Sequence, residues 1–176
     1  DDWDNLVSLM DEAKASRKPA LKTGDRSRRT WFFSNKVAGM TLYVDLFSDD
    51  LKSLPKKIPY LKELGITFVH LMPLLKPRPG ENDGGYAVMD YRAIDPSLGS
   101  MDDFVRAVDK LRASGIDVCI DYVINHVARE HAWAQAALEG DRRMQDMFIM
   151  FDDDTMPRHY DLTVPEVLPD KFPGNF

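Results

Sequence analysis

Three apolar runs recur along this chain: "VAGMTLYVDLF" from Val37, "ITFVHLMPL" from Ile66 and "IDVCIDYVI" from Ile116. Their β-branched and aromatic content predicts strands. Between the first two, Leu51, Leu54, Ile58, Leu61 and Leu64 recur at helical spacing, and Gly65 stands where a residue just past a helix belongs. Pro59 requires that helix to begin late or to kink. Between the second and third runs, Ser100 and Asp103 form a capping box with Asp in place of Glu. Phe104, Val108 and Leu111 follow as an apolar stripe, and Gly115 ends it. Strand, helix, strand, helix, strand with short connections implies βαβ units and a parallel sheet, buried on both sides.

The flanks have a different texture. Trp3 to Ala15 reads as a short amphipathic helix, and "SRKPALKTGDRSRRT" (residues 16–30), broken by Pro19 and Gly24, as a linker. Beyond residue 126, "HAWAQAALEG" is helical, while the Pro- and Asp-rich remainder reads as an irregular subdomain placed after the third strand. The expected division is therefore residues 1–30, an amino-terminal helix and linker; 31–125, three βα units; and 126–176, the start of an insertion.

A net charge of −6 disfavours a nucleic-acid partner, since phosphate binding needs a basic face. No apolar run approaches the roughly 20 residues of a membrane span, so no membrane partner is expected. Cys119 has no second cysteine to pair with and reads as a buried small hydrophobe. The first residues are acidic rather than signal-like. With no initiating Met, the chain is expected to start inside a longer protein, and its compartment, cytoplasmic or secreted, stays open. His126 and His131 lie five positions apart, not the four of a helical zinc pair, and "FDDDTMP" lacks the alternation of a calcium loop. No phosphate-binding glycine motif occurs, so neither metal nor cofactor is expected. His70, inside the second run, reads as a hydrogen-bonded core histidine.

The stretch "GENDGGYAVMDYRAIDPSLGS", Gly80 to Ser100, reads as a loop just past the second strand, with Asp83, Gly84, Gly85 and Tyr86 in sequence. "DYVINH" sets Asp121, Asn125 and His126 at the end of the third. Ligands in parallel α/β folds meet the carboxyl ends of the strands, so the two polar clusters are expected to face each other across one rim. An aromatic face, carboxylates and an imidazole are what a sugar ring requires. Singly, each has a plainer reading: Gly84-Gly85 as a turn, Tyr86 as packing, Asp121 as an acceptor for backbone donors, His126 as structural.

The sequence "DYVINHVAREHAWA" resembles the motif at the third strand of the α-amylase superfamily of (β/α)8 glycosidases and transglucosidases. "GMTLYVDLFSDDLKSLPKKIPYLKELGITFVHLMPLLKP" and "NDGGYAVMDYRAIDPSLGSMDDF" are similar to its sucrose-acting branch, amylosucrase and sucrose hydrolase. So is "PEVLPDKFPGNF", within the insertion after the third strand. The resemblance spans Trp31 to Phe176 and implies a partial TIM barrel containing its first three strands. It implies that Tyr86 stacks on a glucosyl ring and that Asp83 closes the pocket with a distant arginine. It implies further that His126 binds a glucosyl hydroxyl, and that Asp121, with Asn125 beside it, supports the centre through an arginine on the fourth strand.

Retaining transfer needs a carboxylate nucleophile and a carboxylic acid. The family's Gly-x-Arg-x-Asp nucleophile motif and its later acid are absent, so no catalytic residue is expected up to Phe176. A whole barrel takes about 250 residues. The resemblance thus implies an amino-terminal part of an enzyme that cleaves sucrose, releases fructose and passes glucose to an α-glucan or water. The remainder of the barrel would be required, and the 176 residues alone would be inactive. Another α-glucosidase or trehalose-forming isomerase is the alternative; a non-catalytic carbohydrate-binding fragment is the alternative of another class.

Overall fold

The structure, a computed structural model, describes residues 2–163. It opens with α1 (Asp2–Ser16) and α2 (Pro19–Ser27), then runs through β1 (Gly39–Leu42), α3 (Val44–Ser48), α4 (Ile58–Glu63), β2 (Phe68–Leu71), β3 (Leu75–Pro77) and β4 (Val88–Ile94). After these come α5 (Met101–Ala113), β5 (Asp117–Ile120), α6 (Ala132–Leu138), α7 (Arg142–Gln145) and α8 (Thr155–Asp161). The expected α/β class is what forms: β1, β2 and β5 make one parallel sheet with β2 at its centre. Thr41, His70 and Cys119 share one register row, and Leu42, Leu71 and Ile120 the next.

Period-two alternation decides what each face of this sheet does. Val69 and Leu71 are fully buried and pack with Leu54, Leu61, Leu111 and Ile116, which come from the two crossovers. Phe68 and His70, on the opposite face of β2, are half-buried. At the start of β2, Trp31 and Phe32 meet the Phe68 ring at centroid distances of 5.8 and 5.6 Å.

The helix signals around Gly65 and Ser100 act as read. Ser100 Oγ accepts from Asp103 N–H while the Asp103 carboxylate accepts from Ser100 N–H, closing the capping box of α5. Gly65 and Gly115 take φ of +75° and +81°, the left-handed exit glycine allows without a Cβ penalty. Pro59 lies in the first turn of α4, which begins late, after a 3₁₀ turn at Leu54–Lys57.

Five expectations are corrected. The segment read as a linker contains α2, because Pro19 sits in its first turn, where a missing N–H costs nothing. Arg28 then anchors this region through two bonds to the Asp117 carboxylate, at 2.7 and 3.1 Å. The first apolar run is strand only to Leu42, and Val44–Ser48 turns helical, with Ser48 Oγ bonding back to Val44 C=O at 3.1 Å. The stretch from Gly80 to Ser100 is not all loop: β4 lies within it and pairs antiparallel with β3 through an irregular register. The sheet is fully buried on its helix side only: on the other face Phe68, with Trp31 and Phe32 against it, and His70 stay half-buried, and no further strand among the described residues pairs with the far edge of β5. Cys119 is accordingly exposed rather than buried. No helix among the described residues is long and apolar enough to cross a membrane.

Candidate functional site

The carboxyl ends of the three parallel strands hand the chain to Tyr43 after β1, Met72 and Pro73 after β2, and Asp121 after β5. Met72 N–H donates to Leu42 C=O at 2.9 Å, continuing the pairing of β1 and β2 into this rim. The connection from β3 to β4 returns over it. Arg78 N–H donates to Ala87 C=O at 2.9 Å and closes the base of that loop. Inside it, Asn82 accepts Gly85 N–H through its side chain at 3.0 Å.

Asp83, Gly84 and Gly85 have φ of +54°, +63° and +93° in succession, a path in which glycines are nearly strain-free. Glycine at 85 is also required by space: a Cβ there would stand 2.9 Å from Pro73 Cβ. A Cβ at Gly84 would come to 3.3 Å from the Tyr43 hydroxyl. The turn is pressed onto the rim, and it delivers Tyr86 there.

The Tyr86 hydroxyl donates to Asp121 Oδ2 at 3.0 Å, and His70 Nε2 lies 2.9 Å from Asp121 Oδ1. As a carboxylate Asp121 only accepts, so the hydrogen of this second contact resides on His70 Nε2. Both side chains of that pair are about a quarter exposed, His70 at 30% and Asp121 at 21%. Burial, and then the bond and charge of Asp121, push the Tyr86 phenol up to about 12; Tyr43 and the Asp83 charge add to the rise. Each Asp121 oxygen is thus engaged by a different neighbour, Oδ1 by His70 and Oδ2 by Tyr86.

The two polar clusters thus touch through Tyr86 and Asp121. Among the described residues, Asp83, Asn125 and His126 make no side-chain hydrogen bond to that pair. Asn125 and His126 are exposed on the segment after β5, with Asn125 Nδ2 3.4 Å from His126 Nδ1. Two residues that sequence reasoning left aside shape the site. His70, read as a core histidine, is the second partner of Asp121. Tyr91 on β4 sends its hydroxyl to the carbonyls of Val123 and His126 and so holds the segment bearing Asn125 and His126. The signal for Tyr91 was present in "MDYR", but its partners lie more than thirty residues on.

No cluster of three or more His, Cys, Asp and Glu able to hold a metal occurs among the described residues. Asp153 accepts from Thr155 N–H in an exposed turn. The stretch "PEVLPDKFPGNF" lies outside the described residues.

Comparison with known proteins finds 34% identity over 115 residues with oligo-1,6-glucosidase of Heyndrickxia coagulans, covering 63% of this chain and 20% of that protein. Trehalose synthase of Thermus thermophilus is 36% identical over 103 residues, covering 58% and 10%. Among solved structures, Bacillus licheniformis trehalose-6-phosphate hydrolase superposes with a TM-score of 0.58 at 30% identity, over 65% of this chain and 22% of its own. A mutant of MutB solved in complex with the substrate sucrose gives 0.53 at 31% identity, over 58% and 19%. The chain spans 10 to 28% of the length of the first curated relatives it matches. Its three parallel strands and their helices are part of a (β/α)8 barrel. Residues 12–176 match the alpha amylase catalytic domain, and the chain belongs to that family.

Proposed function

We propose that this chain supplies one wall of the glucose-binding subsite of a retaining enzyme that acts on sucrose, releasing fructose and passing the glucosyl unit to an α-glucan or to water. The observation that carries this reading is the Asp121 carboxylate held between Tyr86 and His70 at the carboxyl ends of β2 and β5. A ring whose hydroxyl is tied keeps one orientation, as a platform for the C–H face of a hexose requires. In this reading Asp83 closes the pocket floor against an arginine from elsewhere in the barrel, and Asn125 and His126 meet sugar hydroxyls from the exposed segment after β5. Asp121 fixes the platform and the catalytic surroundings. The attacking and protonating carboxylates come from residues outside this chain.

A second reading, an α-glucosidase or a sugar isomerase, is favoured by the names of the relatives, which include a glucosidase and a trehalose synthase. The complete protein, incubated with sucrose, maltose and isomaltose and analysed by chromatography, separates the two. Free fructose from sucrose supports the first. Cleavage of maltose or isomaltose with sucrose untouched supports a glucosidase, and rearranged disaccharide without free monosaccharide an isomerase. Residues 1–176 alone are expected to release no fructose above a blank. Calorimetry on that chain with sucrose and maltooligosaccharides tests the remaining possibility, a binding fragment.

A further inference from the structure

The loop that carries Asp83 and Tyr86 and the segment that carries Asn125 and His126 are separate stretches of chain, yet they are fastened to each other at their stems. Ala128 N–H donates to Val88 C=O at 2.8 Å, just beyond the Tyr86 turn. Arg78, whose own N–H closes the base of that turn on Ala87, extends its side chain to Glu130, with Nη2 2.8 Å from Oε1. Both side chains are about two-thirds covered, at 32% and 33% exposure. Arg78 Nε and Glu130 Oε2 are buried and have no hydrogen-bond partner.

That last detail sets this pair apart from an ordinary surface ion pair. A largely covered charge pair with a spare donor and a spare acceptor is a poor way to stabilise a fold; an apolar contact of the same volume does as well or better. What a guanidinium and a carboxylate offer instead is direction, because their planar groups bond only in defined orientations. Here that direction links the base of one sugar-facing loop to the stem of the other.

We infer that Arg78 and Glu130 are positioning residues: their ion pair holds the Asn125–His126 segment at a set distance from the Tyr86 turn, and so sets the width of the subsite. This rests on the sugar reading above. It concerns binding rather than chemistry, so its loss acts on ground state and transition state alike and appears in KM.

The test uses the complete protein with Arg78→Met, Glu130→Gln, Arg78→Lys and the exchanged double variant Arg78→Glu/Glu130→Arg. On the α-glucoside that the wild type cleaves, each of the first two is expected to raise KM about tenfold with kcat nearly unchanged, roughly the effect of one lost directed interaction. Lysine is expected to restore part of the loss, and the exchanged pair more. Lower melting temperatures with KM unchanged, or singles that the exchange does not rescue, would overturn the assignment. If the wild type cleaves no α-glucoside, the sugar reading falls and hydrogen exchange decides the latch. Faster exchange of amides 123–128 in Arg78→Met, reversed in the exchanged variant, supports it, and unchanged exchange refutes it.

Discussion

The Tyr86 hydroxyl and the Asp121 carboxylate, 35 positions apart in the chain, meet at 3.0 Å above the carboxyl ends of the parallel strands. Each is brought there by a different constraint. Asp121 follows β5 directly, so its place is set by the register of the sheet. Tyr86 follows a turn of left-handed residues pressed against Pro73 and Tyr43, so its place is set by the absence of side chains at Gly84 and Gly85. The contact therefore joins a rigid strand end to a tightly wound loop, and three consequences can be tested on it directly.

The first concerns alkaline stability. The Tyr86 phenol is raised from the ordinary value of 10 to about 12, so the folded state holds its proton where the unfolded state releases it. Its contribution is fully present below pH 10 and is lost as the pH rises through the window to about 12. Tyr86→Phe keeps the ring and removes the donor, at a cost of about 1 kcal/mol at neutral pH. Denaturant melts of wild type and variant should converge between pH 10 and 12, and a gap independent of pH would contradict the bond.

His70 gives the second. His70→Leu leaves Asp121 Oδ1 without its donor and is expected to cost about 1–2 kcal/mol, the lower figure weighted by the partial exposure of both groups. His70→Gln retains an N–H of similar reach and should recover at least half. The ordering of the two variants in thermal melts is the measurement, and equal losses would mean that the ring matters only as volume.

How far this arrangement can be read in a sequence depends on the range of the forces involved. The Ser100–Asp103 box and the exits at Gly65 and Gly115 are local, and each behaves as its neighbours dictate. The three strand cores are legible for the same reason, since β-branched and apolar density is a property of a few consecutive residues. The pairing of β3 with β4 is not legible: Leu75–Pro77 is short, ends in proline and joins a partner through two register shifts. The role of His70 escapes because its partner lies 51 positions on, and a histidine in an apolar strand reads as core until its neighbour is known. Asp83, Tyr86 and Asp121 stand out because glycines and strand ends mark them. Asn125 and His126 are marked by the same strand end as Asp121, and their side chains stay exposed on the segment that Tyr91 holds.

Glycine 85 supplies the third consequence, with glycine 65 as its control. Gly85→Ala suffers a positive φ of +93° and a Cβ only 2.9 Å from Pro73, which is buried. Together these should cost about 2–4 kcal/mol and displace Tyr86 from Asp121. Gly65→Ala also has a positive φ but meets nothing within 4 Å, so about 1 kcal/mol is expected. Urea midpoints compare the two, and a smaller loss at position 85 than at 65 would show that the turn yields without strain.

The last prediction lies at the edge of the site, where His131 begins α6. Its ring is buried, and Nδ1 accepts Trp133 N–H at 3.2 Å, which requires Nδ1 to carry no proton. Burial lowers its pKa below the ordinary 6.5, and the Asp90 charge opposes that only in part. The folded state therefore favours neutral imidazole, and the stabilisation is complete above pH 6.5. It is lost as the pH falls through the window beneath that value, where the unfolded chain takes up a proton that the folded chain refuses. Asparagine also caps helices through a side-chain oxygen and does not titrate. Between pH 7.5 and 5, His131→Asn should therefore lose less stability than the wild type. Parallel melting curves across that range would show that the folded state does not disfavour the charged ring, and would sink this reading of the cap.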